Sequence, residues 1–297
     1  MIDLMNLTTE KRNKATSGLD KLSILEALQQ MNFEDQKVAL AVNKVLPKIE
    51  PVIREVISSF EAGGRLIYLG AGTSGRLGVF DAAECVPTFG VPETQVVGLI
   101  AGGANALTQA VTGAEDDEKL AQKDLAQLSL TANDLVLGIS ASGRTPYVIS
   151  GLKYAHDLGT KTASLACNLD AKLSRYAEHA IEVDCGPEFL TGSTRLKAGT
   201  AQKLILNMIS TIAMIGIGKV YHNLMVDVRP TNEKLVERSK RIIMQATDCT
   251  YEVAEKTLRL AGQNVKLAIV MLLTNCSAKE GSVKLQQANG FVGRTLA

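Results

Sequence analysis

The chain has 297 residues, 46% apolar and 21% charged, with a formal net charge of +1. These values fit a folded protein with a sizeable core, and they argue against a disordered chain and against broad electrostatic binding to nucleic acid or an anionic membrane. Aromatic residues make up only 4% and Trp is absent, so Ala, Val, Ile and Leu must build the interior.

Residues 1–20 read as irregular, and the opening Met1–Asn6 has neither a basic n-region nor an apolar run, so no secretory signal is expected. Ser23 is a candidate N-cap for a helix from Ile24. Val38, Val42, Val45, Ile49, Ile53, Val56 and Phe60, at steps of three and four, form one apolar stripe along it. Pro51 is expected to kink or split that helix, and Gly63-Gly64 to end it. Short apolar strands follow at 65–69, 95–100, 134–139, 161–166 and 180–183, with helical segments at 74–85, 115–128 and 146–158 between them. Their alternation predicts an α/β fold: a doubly wound parallel sheet of about five strands, covered on both faces.

Residues 197–221 read as one long helix, apolar around its circumference from Leu204 to Ile217. Asn207, Ser210 and Thr211 interrupt that run and Lys203 and Lys219 bound it. A spanning helix needs about 20 apolar residues, so a buried helix is expected and a membrane span is not. From about Asn232 the segments are short and helical, with Thr250, Asn264 and Ser277 as N-caps. The expected organisation is an N-terminal helical segment over 1–50, the sheet domain over 51–230 and a small all-helical domain over 231–297. The five Cys are widely spaced with no C-x-x-C, so neither a disulfide framework nor a zinc finger is expected, and a cytoplasmic location fits that usage. His156, His179 and His222 lack metal-ligand spacing, and no metal site is expected.

Two strand ends run into Gly- and Ser-rich loops. Gly70-Ala71-Gly72-Thr73-Ser74-Gly75 satisfies G-x-G-x-x-G, which raises a dinucleotide site. The second strand ends Ile100-Ala101-Gly102-Gly103 with no carboxylate for a ribose, which argues against it. Ser140-Ala141-Ser142-Gly143-Arg144-Thr145-Pro146 places Thr145 as N-cap and Pro146 as the first helical residue. A loop at a helix N-terminus with hydroxyls at Ser140, Ser142 and Thr145, and with Gly143 admitting close backbone approach, points to phosphate. Glu84 and Glu115 are the carboxylates near these loops. Spacing alone leaves both ambiguous, and Glu115 reads first as a helix-start acid.

The strand–GAGTSGR–helix and strand–SASGRTP–helix units resemble the sugar isomerase (SIS) domain, a doubly wound phosphosugar-binding fold. The strings GAGTSGRLGVFDAAE (70–84), TGAEDD (112–117), GISASGRTPYV (138–148) and GSTRLKAGTAQKLILNM (192–208) resemble the N-acetylmuramic acid 6-phosphate etherase family. LTTEKRN (7–13) and NLMVDV (223–228) fit it too, while Val86 stands where members are expected to carry proline. The resemblance implies a carbon–oxygen lyase that splits the lactyl ether of N-acetylmuramic acid 6-phosphate into N-acetylglucosamine 6-phosphate and D-lactate, with no metal or redox cofactor. It implies Glu84 as the acid to departing lactate and Glu115 as the second active-site acid, the base at C2. It also implies Ser140, Ser142, Gly143 and Thr145 as the phosphate loop, and Gly72, Thr73, Ser74 and Gly75 along the sugar. Lys197 is expected to complement phosphate or lactate charge.

Residues from about 240 onward resemble a ubiquitin-associated-type helical bundle, with packing or oligomer contact as the expected role. Two alternatives stand beside the lyase. An aldose–ketose phosphosugar isomerase would share the phosphate loop and C2 base but would not need the second acid. A sugar-phosphate sensor, like the distantly similar glucokinase regulatory protein, would need neither carboxylate, and residues 1–50 offer no basic recognition helix for DNA. The apolar circumference of the 204–217 helix and the stripe from Val38 to Phe60 call for partners, and the resembling family is dimeric, so a homodimer is expected.

Overall fold

In the computed structural model, residues 7–228 and 233–296 are described. The expectation about Met1–Asn6 and the expected 230/231 boundary lie outside them. The chain divides into two compact units, Met1–Ala83 with Thr94–Ser210, and Glu84–Glu93 with Thr211–Ala297.

The first unit opens with short 3-10 turns up to Lys21 and then the helix α1, Ile24–Glu61. Ser23 starts it with a capping box: Ser23 Oγ accepts from Glu26 N, and Glu26 Oε2 accepts from Ser23 N at 2.8 Å. The helix does not split at Pro51, but runs unbroken through Pro47 and Pro51. Pro47 and Asn43, four residues before it, are both exposed, so water can satisfy the carbonyl that loses its partner. Val38, Val42, Ile49, Val56 and Phe60 of the stripe are buried, and α1 packs on β1 (Leu66–Gly70), β3 (Leu135–Ser140) and β5 (His179–Glu182).

With β2 (Val96–Ile100) and β4 (Lys161–Ala166), these strands form one five-stranded sheet in the order β2-β1-β3-β4-β5, every pair parallel. Every residue of β1 and β3 is buried, as a sheet covered on both faces requires. The helices between strands are α2 (Gly72–Phe89), α3 (Glu118–Gln127) and α4 (Pro146–Asp157), and α5 (Lys197–Gly216) follows the last strand. Arg65 and Asp134 fix the two central strands where they begin. Asp134 Oδ1 accepts from Arg65 N and Nε at 2.9 Å, Oδ2 accepts from Arg65 Nη2 at 2.7 Å, and Asp134 is 1% exposed.

The second unit contains a feature the sequence reading missed. The long helix stops at Gly216, and a two-residue hairpin, β6 (Val220–Tyr221) with β7 (Leu224–Met225), replaces its last turn. Four helices follow: α6 (Glu233–Thr247), α7 (Tyr251–Leu260), α8 (Val265–Thr274) and α9 (Ala278–Gln287). Thr250, Asn264 and Ser277 cap α7, α8 and α9 as expected. Their core gathers Ile243, Leu258, Ile269, Val270 and Val292, and the buried Lys266 ammonium donates to Gly218 O and to Asp227. No helix among the described residues is long and apolar enough to cross a membrane.

Burial would raise the Asp134 pKa, but the bonds from Arg65 and Thr131 outweigh it and hold the carboxyl below the usual carboxylate range. A depressed folded-state pKa adds stability that is present above the unfolded value, near 4, and lost as pH falls below it. Asp134→Asn should therefore cost about 3–5 kcal/mol at neutral pH, and the gap to the parent should narrow towards pH 3. Urea unfolding of both chains across that range tests this, and a constant gap would contradict it.

Candidate active site

The segments that follow the strands leave the sheet at its carboxyl ends, where ligands of open parallel sheets bind. The first joins β1 to α2. Gly70 and Gly75 pass so closely that a Cβ on Gly70 would lie 2.7 Å from Gly75 N, so the strand end and the first helical turn touch through backbone. Gly72 and Thr73 are accessible on that turn, while Ser74 is 6% exposed and donates to Gln202 Oε1 of α5 at 3.0 Å. Gln202, 1% exposed, is a residue the sequence reading passed over. Farther along α2, buried Asp81 accepts from Tyr68 at 2.8 Å and from Ser210 of α5 at 3.2 Å. Burial raises its pKa against those two bonds. The pair of links ties α2 to α5 behind the Gly72–Gly75 turn.

The loop after β3 is built as a hydroxyl cluster. Ser140 Oγ lies 2.8 Å from Thr145 Oγ1 and 3.3 Å from Ser142 Oγ, and it accepts from Gly143 N at 3.1 Å. Thr145 takes the N-cap position with Pro146 behind it, but its side chain turns to Ser140 and makes no capping bond. Gly143 has φ +68°, and a Cβ there would meet Ala171 Cβ at 2.5 Å. The segment after β4 holds the loop from outside: Cys167 N and Asn168 Nδ2 both donate to Ala141 O, and Leu173 N donates to Gly143 O. Asn168 also binds the segment before α1, accepting from Thr9 N at 3.3 Å and donating to Thr9 Oγ1 at 3.0 Å. Arg144 brings a cation to this loop that has no ion pair among the described residues, and its buried Nε has no hydrogen-bond partner.

Glu115 sits in a 3-10 turn, Ala114–Asp116, ahead of α3. The expected helix start at residue 115 moves to Glu118, because Asp117 is the N-cap, accepting from Lys119 N at 2.9 Å and Leu120 N at 3.2 Å. Glu115 is therefore not a first-turn acid of α3, and stands instead in the short 3-10 turn ahead of it. It is exposed and lines a cavity of about 410 Å³ together with Gly72, Arg76 and Val111. Arg76 braces the 101–116 loop, its Nε donating to Ala106 O and Leu107 O and its Nη2 to Gln109 O. Glu84 is exposed on α2, in the part of that helix assigned to the second unit.

Lys197 stands apart from both loops' polar groups. It is 1% exposed, and its ammonium donates to Glu34 Oε2 at 2.8 Å and to Pro187 O at 3.0 Å. Burial would raise the Glu34 pKa, but Lys197 and Lys37 outweigh it and lower the carboxyl. Beside it the buried Glu188 carboxylate accepts from Lys197 N and Ala198 N, both at 2.9 Å, at the start of α5. Burial lifts the Glu188 pKa, opposed by those two bonds.

A parallel sheet of this order, with a hydroxyl loop ahead of its fourth helix, defines a SIS-domain protein. The chain matches the SIS domain over residues 115–212 and the glucokinase regulatory protein N-terminal SIS domain over 48–156. Phosphoheptose isomerase from Francisella tularensis shares the fold, with a TM-score of 0.51 at 19% identity over 65% of this chain and 100% of that one. Full-length relatives are narrower. The chain is 72% identical over 296 residues to N-acetylmuramic acid 6-phosphate etherase of Lactococcus lactis subsp. cremoris (strain SK11), covering 100% of both. It is 66% identical over 295 residues to N-acetylmuramic acid 6-phosphate etherase 2 of Enterococcus faecalis, covering 99% of this chain and 100% of that one. The chain belongs to the N-acetylmuramic acid 6-phosphate etherase family.

Gly143→Ala should destabilise the protein by about 1–3 kcal/mol, because alanine must hold a left-handed φ and displace Ala171. A urea midpoint unchanged from the parent would show that the loop can move away at no cost.

Proposed function

We propose that the chain cleaves the D-lactyl ether of N-acetylmuramic acid 6-phosphate, releasing N-acetylglucosamine 6-phosphate and D-lactate. The identity to etherases over the full chain carries this reading. The placement of Glu115 in a cavity beside Gly72, ahead of α3 and not in its first turn, supports its chemistry.

The reaction starts from the open-chain sugar, whose C1 aldehyde acidifies the proton on C2. Glu115 takes that proton. The C3–O bond breaks with its electron pair on oxygen, Glu84 protonates that oxygen, and D-lactate leaves. Water then adds to the unsaturated aldehyde, its oxygen to C3 and a proton to C2. The aldehyde supplies the activation, so the steps call on no metal or redox cofactor. Ser140, Ser142, Gly143 and Thr145 hold the phosphate at the N-terminus of α4. The Gly72–Gly75 turn lies along the sugar. Since the Ser74 hydroxyl proton is directed at Gln202, its lone pairs accept from a sugar hydroxyl. Lys197, committed to Glu34, positions α5 and does not contact substrate.

The glutamate assignment separates cleanly in deuterated solvent. Wild-type protein should release D-lactate from N-acetylmuramic acid 6-phosphate. Glu84→Gln should stop release yet still exchange the C2 proton, and Glu115→Gln should stop both. Lactate release by Glu84→Gln near the normal rate would remove it as the acid. Conversion of fructose 6-phosphate or glucosamine 6-phosphate in place of lactate release would point to an isomerase.

We further infer a cytoplasmic homodimer. Ile24 (82% exposed), Leu28, Phe33 and Leu40 leave apolar surface along α1, and Ile212 and Ile215 do so on α5. Sedimentation at micromolar protein should give twice the 31.7 kDa chain mass, and a fully active 31.7 kDa species would overturn the dimer.

A further inference from the structure

We propose that Arg76 receives the carboxylate of the lactyl group, and so selects the substrate that carries an ether from phosphosugars that do not. The proposal rests on the etherase reading. That substrate has two anions, a phosphate on C6 and a carboxylate on the C3 ether. The hydroxyl loop after β3 suits the phosphate and leaves the carboxylate without a partner. With Glu115 at C2, the ether oxygen is two bonds from the carbon it deprotonates and the carboxyl carbon four. The group that meets the carboxylate must therefore share the hollow that holds Glu115.

Arg76 is the only cation among the described residues lining that cavity, and the other charges there are Glu115 and Asp116. A lactyl carboxylate entering without Arg76 would face two like charges. The guanidinium has no ion pair among the described residues, and only main-chain carbonyls meet it. Of its five N–H groups, Nε and one on Nη2 are engaged; the remaining Nη hydrogens are the edge that pairs with a carboxylate in bidentate fashion. Because Ala106, Leu107 and Gln109 hold the other edge, the plane is set before ligand arrives, and little entropy is lost on binding. The same bonds place the loop that leads to Glu115, so recognition of the leaving group and position of the base are joined in one side chain.

The test compares two ligands that differ only by the lactyl group. Arg76→Gln should raise the KM for N-acetylmuramic acid 6-phosphate by roughly 10- to 100-fold, while inhibition by N-acetylglucosamine 6-phosphate stays within about twofold of wild type. Arg76→Lys, which keeps the charge, should recover part of the loss. Equal weakening of both ligands would mean that Arg76 serves the phosphate or only the loop, and would overturn the proposal. A second measurement needs no variant: wild-type protein should bind the lactyl methyl ester at least tenfold more weakly than the free acid. Equal binding of ester and acid would also overturn it. Failure of wild-type protein to release D-lactate at all would defeat the etherase reading itself, an outcome distinct from loss of the selectivity.

Discussion

A sheet whose central strands have no exposed residue leaves chemistry nowhere to go but its ends. Backbone donors and acceptors in β1 and β3 are spent on their neighbours, and both faces are covered, so along their length the side chains of these strands are taken up by the interior, and only at the carboxyl end does one of them, Ser140, join a loop cluster. The open backbone and the polar clusters therefore lie at the carboxyl ends and on the helical turns beside them. That is why the hydroxyl cluster follows β3, the glycine turn follows β1, the 101–116 loop follows β2, and the bracing segment with Asn168 follows β4. The Arg65–Asp134 pair fixes the other ends of β1 and β3 in the same register, which sets where their loops emerge.

Several buried charges in the first unit act as locators. Lys197 with Glu34, and Asp81 with Ser210, join elements far apart in sequence, while Glu188 holds the start of α5 from the segment just before it. Such groups contribute little net stability, because desolvation offsets most of the attraction. Their effect is geometric: a carboxylate that must find particular donors admits few arrangements of α1, α2 and α5. The same reasoning accounts for Lys197 as a partner of Glu34 within the unit. Its ammonium is held in the interior by Glu34 and Pro187 O.

Much of this was legible because the signals were local. Fully buried strands read as apolar runs, and the caps Ser23, Thr250, Asn264 and Ser277 stand in the sequence beside the helices they start. The hydroxyl loop was legible for the same reason. The failures share the opposite cause. The β6–β7 hairpin has two residues per strand, too few to show a period. Asp117 and Glu115 are equally good helix-start acids on paper, and only the backbone shows which one caps. Pro51 carries a strong break signal, yet tertiary packing of the buried stripe outweighs it. The partners of Lys197 and Ser74 lie 163 and 128 positions away, beyond any spacing argument. Arg76 escaped notice because its partners are carbonyls, which carry no side-chain signature.

The two hydrogen bonds between Asn168 and Thr9, and the third from Asn168 to Ala141, have a practical side. They connect the segment ahead of α1 to the hydroxyl loop through a single amide. An affinity handle, a surface tether or a fluorescent fusion joined ahead of Leu7 is thus attached close to a segment bonded to the hydroxyl loop. Load or crowding applied there acts on the loop directly, whereas the same attachment beyond the helices of the second unit would not pull on that amide. For immobilised or fused forms of this protein, the choice of end is a choice about the hydroxyl loop.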